Sequence, residues 1–409
     1  MQLLRDEAFI EMNQALFAFN DDAIYSFIHE GVYQIEQVAK VYLSAKVKQM
    51  LEGIDQITLQ SNVDYRPSEG MLDIEFDLDG ISSEEVAHIL QALIEKKRYY
   101  RIPNGALIHL ESDDFSSFQA LQQNLQLSKK QMENGVISIP AARSFQVEEA
   151  LNKTDYRYSA SFQQMLEQLK HPEQLRFELP TQLVADMRDY QVTGFQWMKA
   201  LSHYHLGGIL ADDMGGLGKT LQSISYMLSE ANDKKEHYQA LVIAPASLLY
   251  NWKKEIEKFS PTLSSGVIIG AKQYRRELLE QHKETNILIT SYPTLRKDQD
   301  LYEDHLFDCI ILDEAQVIKN HLTLTAKAVR SLQAKQFFAL SGTPIENALD
   351  ELWSIFYTIS PGLYGSKKAF GNLDPNYIAK ITRPFILRRV KKMYWKNFQI
   401  KLNQSNTPS

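Results

Sequence analysis

Residues 210–223, LADDMGGLGKTLQS, decide how the rest of the chain is read. Gly218, Lys219 and Thr220 form a Gly-Lys-Thr sequence just after the apolar run LGGIL. A glycine loop of backbone amides leading into a helix N-terminus suits anionic phosphates. In that setting Lys219 reaches the β and γ phosphates of a nucleoside triphosphate, and Thr220 holds Mg2+ through its hydroxyl. Gly-Lys-Thr also occurs by chance, so the reading needs a second element. IILDEAQ supplies it: Asp313 ends an apolar run as an expected Mg2+ ligand, usually through water, and Glu314 beside it orients or deprotonates the attacking water. Paired acids after a buried strand could otherwise be a capped loop; in this order with the glycine loop they indicate a nucleoside-triphosphate site.

Working outward, apolar runs alternate with helical ones from about residue 183. QALVIAPAS is followed by LLYNWKKEIEKF, NILITSY by PTLRKD, FDCIILDEAQ by VIKN, and KQFFALSGTP by IENALDELWSIF. Short continuous apolar strands interleaved with helices predict a parallel sheet covered on both faces. Ligands of such sheets sit beyond the carboxyl ends of the strands, where these runs turn polar.

The N-terminal half reads differently. Residues 1–52 show helical periodicity, and MLDIEFDLDG (residues 71–80) alternates like a half-buried strand. In SSEEVAHILQALIEKKRYYRI, Ser82 or Ser83 can cap a helix with Glu84 and Glu85 in its first turn. PNG at 103–105 turns the chain into the strand ALIHLE, and residues 115–180 are polar and mostly helical.

At 409 residues, 44% hydrophobic and 23% charged, the chain has enough apolar content for two or more ordinary cores. No apolar run approaches the ~18 residues of a membrane span, and the acidic N-terminus lacks the pattern of a secretory signal. We therefore expect a soluble, cytoplasmic protein with no membrane partner. The single cysteine, Cys309, rules out an internal disulfide and any multi-cysteine zinc site, and is expected in the core. The net charge of −7 conceals an asymmetry: residues 1–180 carry −12 and residues 181–409 carry +5. An anionic polymer is repelled by the first half and tolerated by the second, where Lys253, Lys254, Arg275, Arg276 and the run 388–392 supply cations, unless these charges form only a solvated face.

MRDYQVTGFQWM, ILADDMGGLGKTLQ, LVIAPASLLYNWKKE, ILITSYPTL, IILDEAQVIKN and LSGTPIENALDELWSIF resemble, in order, the first-lobe motifs of SWI/SNF-type ATPases of helicase superfamily two. The resemblance covers residues 183–392. It implies a RecA-like P-loop lobe with a parallel sheet covered by helices, preceded by a mainly helical α+β accessory region of the kind found in bacterial members. The expected organisation is an acidic accessory region over 1–150, a linker over 151–182, the lobe over 183–392 and an unstructured tail over 393–409.

The resemblance also implies roles. ATP and Mg2+ are the expected cofactors. Gln191 reads the adenine, a task for an amide that both donates and accepts. Gly215, Gly216, Leu217, Gly218, Lys219 and Thr220 cradle the phosphates, and Lys219, Asp313 and Glu314 carry the chemistry. Gln316, Ser341 and Thr343 relay the nucleotide state to the nucleic acid. Ser247, Asn251, Trp252, Lys253, Ser291 and Tyr292 match motifs that grip the backbone of double-stranded DNA without reading bases. Trp197 and Trp353 are expected to pack.

Two departures qualify this. Relatives have Asp-Met-Gly-Leu-Gly-Lys-Thr, whereas Gly215 and Gly216 both stand here between Met214 and Leu217, so one residue must bulge or rotate an amide away. After RRVKK, relatives continue into a second lobe carrying an arginine that completes the ATP site. This chain reads MYWKNFQIKLN; a one-nucleotide loss from codons for the expected DVLEELPDKIE yields Met393 through Leu402 and begins the next Asn, the alternative being a divergent natural C-terminus. The expected function is therefore an ATP-dependent DNA translocase reduced to its ATP-binding first lobe and inactive alone. The alternatives are a non-enzymatic remnant binding nucleotide and DNA, or an acidic protein-interaction module on a scaffold.

Overall fold

The structure, a computed structural model, describes residues 10–12, 15–17, 21–45, 47–48, 59–103, 106–127, 132–133, 135–151, 156–212, 218–234, 236–342 and 349–389. The expected phosphate-loop residues Gly215, Gly216 and Leu217, the relay residue Thr343 and the tail 393–409 lie outside the described residues. Two compact units are present: one of residues 1–63, 73–138 and 147–158, the other of residues 64–72, 139–146 and 159–409.

The strand Met71–Leu78 alternates buried and exposed positions as its sequence requires, with Leu72, Ile74, Phe76 and Leu78 inward. It lies in a five-stranded sheet next to Leu59–Arg66, which pairs in parallel with Tyr156–Tyr158. The helix Ser83–Ile94 begins where Ser82 accepts a hydrogen bond from the Glu85 amide (3.3 Å), and it buries Val86, Ile89, Leu90 and Leu93, one face of a 3.6-residue repeat. One expectation fails: Ile10–Met12 and Ala15–Phe17 pair as antiparallel strands, and helix occupies only part of residues 1–52. Apolar residues at 10, 12, 15 and 17 serve a two-residue period as well as a helical one. The stretch expected as a linker carries the helix Ala160–Lys170, capped by Ser159 and burying Phe162, Met165, Leu166 and Leu169.

The larger unit is built on seven strands: β1 (Gly208–Asp212), β2 (Ala240–Ala244), β3 (Ser265–Val267), β4 (Ile287–Ser291), β5 (Leu306–Leu312), β6 (Gln333–Leu340) and β7 (Ile386–Arg389). Every pairing is parallel, in the order β3-β4-β2-β5-β6-β1-β7. All five residues of β2 and of β4 are buried, as expected of a sheet covered on both faces. Leu312 lies level with Ala339, and Leu340 with Leu210, so β5, β6 and β1 deliver their carboxyl ends side by side. The helices that matter for the site are α1 (Asp189–His203), α2 (Lys219–Asp233), α3 (Leu249–Phe259), α4 (Lys272–Gln281) and α5 (Tyr292–Lys297).

Trp197 and Trp353 pack as expected, donating their indole N–H groups to the main-chain carbonyls of Pro384 (3.0 Å) and Gly365 (3.2 Å). Cys309 is fully buried in β5, where burial pushes its thiol pKa well up and makes it inert. Segments 64–72 and 139–146 also belong to this unit. Tyr65 packs edge-on against Tyr204 at 5.6 Å, and Arg143 and Gln146 donate to the carbonyls of Gly362 (2.5 Å) and Leu363 (2.6 Å).

Candidate functional site

The strand order explains why the site forms. β6 lies between β5 and β1, so the residue leaving β6 sits between what leaves the other two. Two residues past β6 is Gly342. Its Cβ position lies 3.6 Å from Lys219 Nζ, in the first turn of α2, and 3.6 Å from a carboxylate oxygen of Glu314, just past β5. A basic and an acidic group from distant stretches of sequence thus converge over one glycine. Asp313, Thr220 and Gln191 line the same cleft, whose volume is about 660 Å3.

Gly218 caps α2 with φ +80°, a conformation that favours glycine, and a Cβ there would lie 2.3 Å from Gln191 Nε2. A side chain here would adopt a strained backbone conformation and displace the Gln191 amide. Gln191 is itself held, since its Oε1 accepts from the Arg188 amide (2.9 Å) at the start of α1. Gln191 therefore lies against Gly218, at the N-terminus of α2.

Asp313 is fixed at four points. Its Oδ1 accepts from the Glu314 amide (3.0 Å) and its Oδ2 from Trp252 Nε1 (2.8 Å). Its own amide donates to the Ile243 carbonyl (2.8 Å), and its carbonyl accepts from the Tyr292 hydroxyl (2.8 Å). Burial raises its pKa, the Glu314 charge adds to this, and the Trp252 hydrogen bond and the Lys219 charge oppose it. Glu314 has φ +49° and ψ +54°, left-handed values uncommon for a non-glycine residue. Its Oε2 accepts from Gln316 Nε2 (2.7 Å), and Gln316 Oε1 accepts from the Ser341 hydroxyl (3.4 Å). Glu314, Gln316 and Ser341 thus form a continuous polar chain from the end of β5 to the end of β6.

The residues expected on DNA divide. Ser247 is exposed, Lys253 is partly exposed and pairs with Glu257 (3.8 Å), and Asn251 is exposed, bonds Glu255 (2.9 Å) and lines the nucleotide cleft. The other three need correction. Trp252 is 1% exposed and spends its donor on Asp313; Tyr292 is 2% exposed and holds the Asp313 carbonyl; Ser291 is 3% exposed and caps α5 by accepting from the Thr294 amide. Trp252 and Tyr292 support the acidic end of β5, and none of the three enclosed side chains reaches a surface ligand. Arg275, read as a local cation, is buried and bound through two nitrogens to Asp298.

The support given by Trp252 had a signal in the sequence. Leu249, Trp252 and Ile256, at spacings of three and four, are the buried stripe of α3. That stripe turns Trp252 toward the sheet.

The residues fit a triphosphate with Mg2+. A loop exit with no room for a Cβ leads into a helix N-terminus, a lysine and a carboxylate flank one point, and a second, buried carboxylate is held by neutral donors.

Comparison with known proteins agrees. Residues 190–405 match the family described as SNF2-related domain, and residues 1–180 match bacterial SNF2 helicase associated. The chain is similar to an uncharacterized ATP-dependent helicase of Mycoplasma pneumoniae (40% identity; 54% of this chain, 22% of the relative). It is also similar to one from Mycoplasma genitalium (38%; 56% of this chain, 23% of the relative) and to the TATA-binding protein-associated factor mot1 of Schizosaccharomyces pombe (33%; 56% and 13%). It thus spans less than a quarter of the length of these relatives. Among solved structures it is similar to the Sulfolobus solfataricus SWI2/SNF2 ATPase core in complex with double-stranded DNA, at 38% identity and a TM-score of 0.48, over 53% of this chain and 47% of that one. With its SNF2-related domain match spanning more than half of its residues, the chain belongs to the SNF2-related domain family.

Proposed function

We propose that the cleft binds ATP with Mg2+ and that these residues are the ATP-binding lobe of a translocase that grips double-stranded DNA by its backbone, in a cytoplasmic, nucleoid-associated protein. The observation that carries this is the convergence of Lys219 and Glu314 over Gly342, with Asp313 held beside them. Lys219 meets the β and γ phosphates, Gln191 takes the adenine edge, and the Thr220 hydroxyl and the Asp313 carboxylate hold the metal, the latter through water. Bound Mg2+ supplies charge neutralisation on the phosphates. Gln316 occupies Glu314 Oε2, so Oε1 is the oxygen that takes the proton of the attacking water. The same bond leads through Gln316 to Ser341, the route by which proton transfer and the shape of the outer surface influence each other.

Binding and turnover are separate matters. Phosphoryl transfer in this loop class draws charge stabilisation from both sides of the nucleotide, and an arginine from the opposite side is worth about 10³–10⁵ in rate. The groups gathered here come from one sheet edge. The 409 residues alone therefore hold ATP, turn it over poorly and do not step along DNA. Calorimetry tests the reading: ATP binds the wild type, and Lys219→Ala abolishes detectable binding. Equal affinities would remove Lys219 from the site.

A further inference from the structure

Four tryptophans occur in the sequence, three of them among the described residues. Two behave as packing alone requires: a buried indole needs an acceptor, and Trp197 and Trp353 find one in a main-chain carbonyl. Trp252 does not. It is as enclosed as the others, at 1% exposure, yet its N–H points at Oδ2 of Asp313, the side chain on which metal binding depends in the reading above. The opposite oxygen, Oδ1, takes the Glu314 amide. Two donors on two oxygens fix the plane of the carboxylate as well as its position. Such partners of a metal-binding carboxylate set the direction of the lone pairs left for the ion or its water.

We propose that Trp252 is a positioning residue for Mg2+: its indole N–H orients the Asp313 carboxylate toward the metal, which a phenyl ring, having no donor, cannot do. The inference rests on the assignment of the cleft to ATP and Mg2+ and adds a residue that touches neither. Its location on α3 gives the arrangement a wider consequence. α3 runs from β2 to the rim of the cleft, with Asn251 and Glu255 lining it beside Trp252. Any shift of α3 therefore moves the donor that aims Asp313, and the helix becomes a lever on metal affinity.

The test titrates Mg2+ into the full chain with a fluorescent ATP analogue, starting in chelator. Trp252→Phe keeps an aromatic side chain but loses the donor and some bulk, so its unfolding free energy is measured alongside. The Mg2+ concentration needed for half-maximal tightening is expected to rise about 10- to 100-fold, the usual cost of losing a group that orients a metal ligand. Metal-free nucleotide affinity should change less than about twofold, because the phosphate contacts of Lys219 are intact. An unmoved Mg2+ midpoint overturns the proposal and leaves the ATP site standing; a wild type that binds no analogue overturns both. Should Trp252→Phe fail to fold, the wild type decides. Its four indole N–H resonances, assigned by Phe substitution of Trp197, Trp353 and Trp395, are followed on adding Mg2+ to the nucleotide complex. The Trp252 signal is expected to move in the wild type and stay still in Asp313→Asn; a signal that does not move in the wild type rejects the proposal.

Discussion

Two buried aspartates of the larger unit have opposite company. Asp298, fully buried after α5, is gripped by Arg275 of α4 through Nε and Nη2, the second at 2.6 Å, and the same guanidinium bonds the Gly270 carbonyl. Asp313, 8% exposed after β5, is held by an indole and a backbone amide. Both are immobilised, but only the first has its charge matched by a bidentate cation from the fold. Burial raises the pKa of Asp313, the mark of a carboxylate whose surroundings do not compensate its charge. A structural carboxylate comes with its own bound cation, and one kept for a ligand is held by neutral donors while its charge is compensated only in part, here by the nearby Lys219.

The comparison is most sharply tested by removing the matched cation. Arg275→Ala strands a fully buried carboxylate, and breaking such a pair costs about 3–5 kcal/mol. Urea unfolding of the nucleotide-free chain should show that loss, while any protein still folded binds ATP normally, since neither residue lines the cleft. A cost near zero would mean that the Arg275–Asp298 pair is dispensable and that charge matching does not separate the two sites.

Asp308, in β5, is an intermediate case. It accepts from Lys234 (2.8 Å), from Lys335 (3.0 Å) and from the Gln239 amide (2.9 Å). Burial works to raise its pKa, but these bonds prevail and lower it. Its ionised form therefore stabilises the fold above the ordinary value of 3.8, and that contribution is lost as the pH falls through the lowered folded value. Asp308→Asn should cost about 1–3 kcal/mol at neutral pH, discounted toward the lower figure because Lys335 is half exposed. The gap between variant and wild type should close on acidification below pH 3.8; a gap constant with pH would assign the loss to packing.

Much of the candidate site was legible because its residues are local in sequence. The Gly-Lys-Thr and Asp-Glu stretches name their own ligands, and the interleaved apolar runs imply the sheet edge where they meet. The order of strands was not legible, and with it the role of Gly342, because convergence over β6 is a property of three strands far apart in sequence. β3 and β7 were not recognised as strands either: one is three residues in a Ser-Gly stretch, and the other ends in two arginines. The contact motifs erred in a consistent way. A motif at a strand end fixes where a residue is, and burial decides which way it points. Trp252, Ser291 and Tyr292 sit at the expected edge but turn inward, and Arg275 was counted as a free cation because Asp298, its partner, lies 23 residues away.

The smallest expected effect is the most informative. Asp313→Asn keeps the shape of the side chain and removes its charge. One of the two donors then faces the new amide NH2 group, and leaving a buried donor unsatisfied costs about 1–3 kcal/mol. Against this, the substitution removes a charge that burial and Glu314 both disfavour. The terms oppose each other, and the unfolding free energy without nucleotide should stay within about 1 kcal/mol of wild type. Function should not be spared: with the charge gone, added Mg2+ should no longer tighten ATP binding, although the Lys219 contribution persists. Urea unfolding and the Mg2+ titration on the same preparation separate the two effects. A stability loss as large as that of Arg275→Ala, with Mg2+ dependence intact, would show that Asp313 is a structural aspartate like Asp298 and that the contrast between them is one of geometry alone.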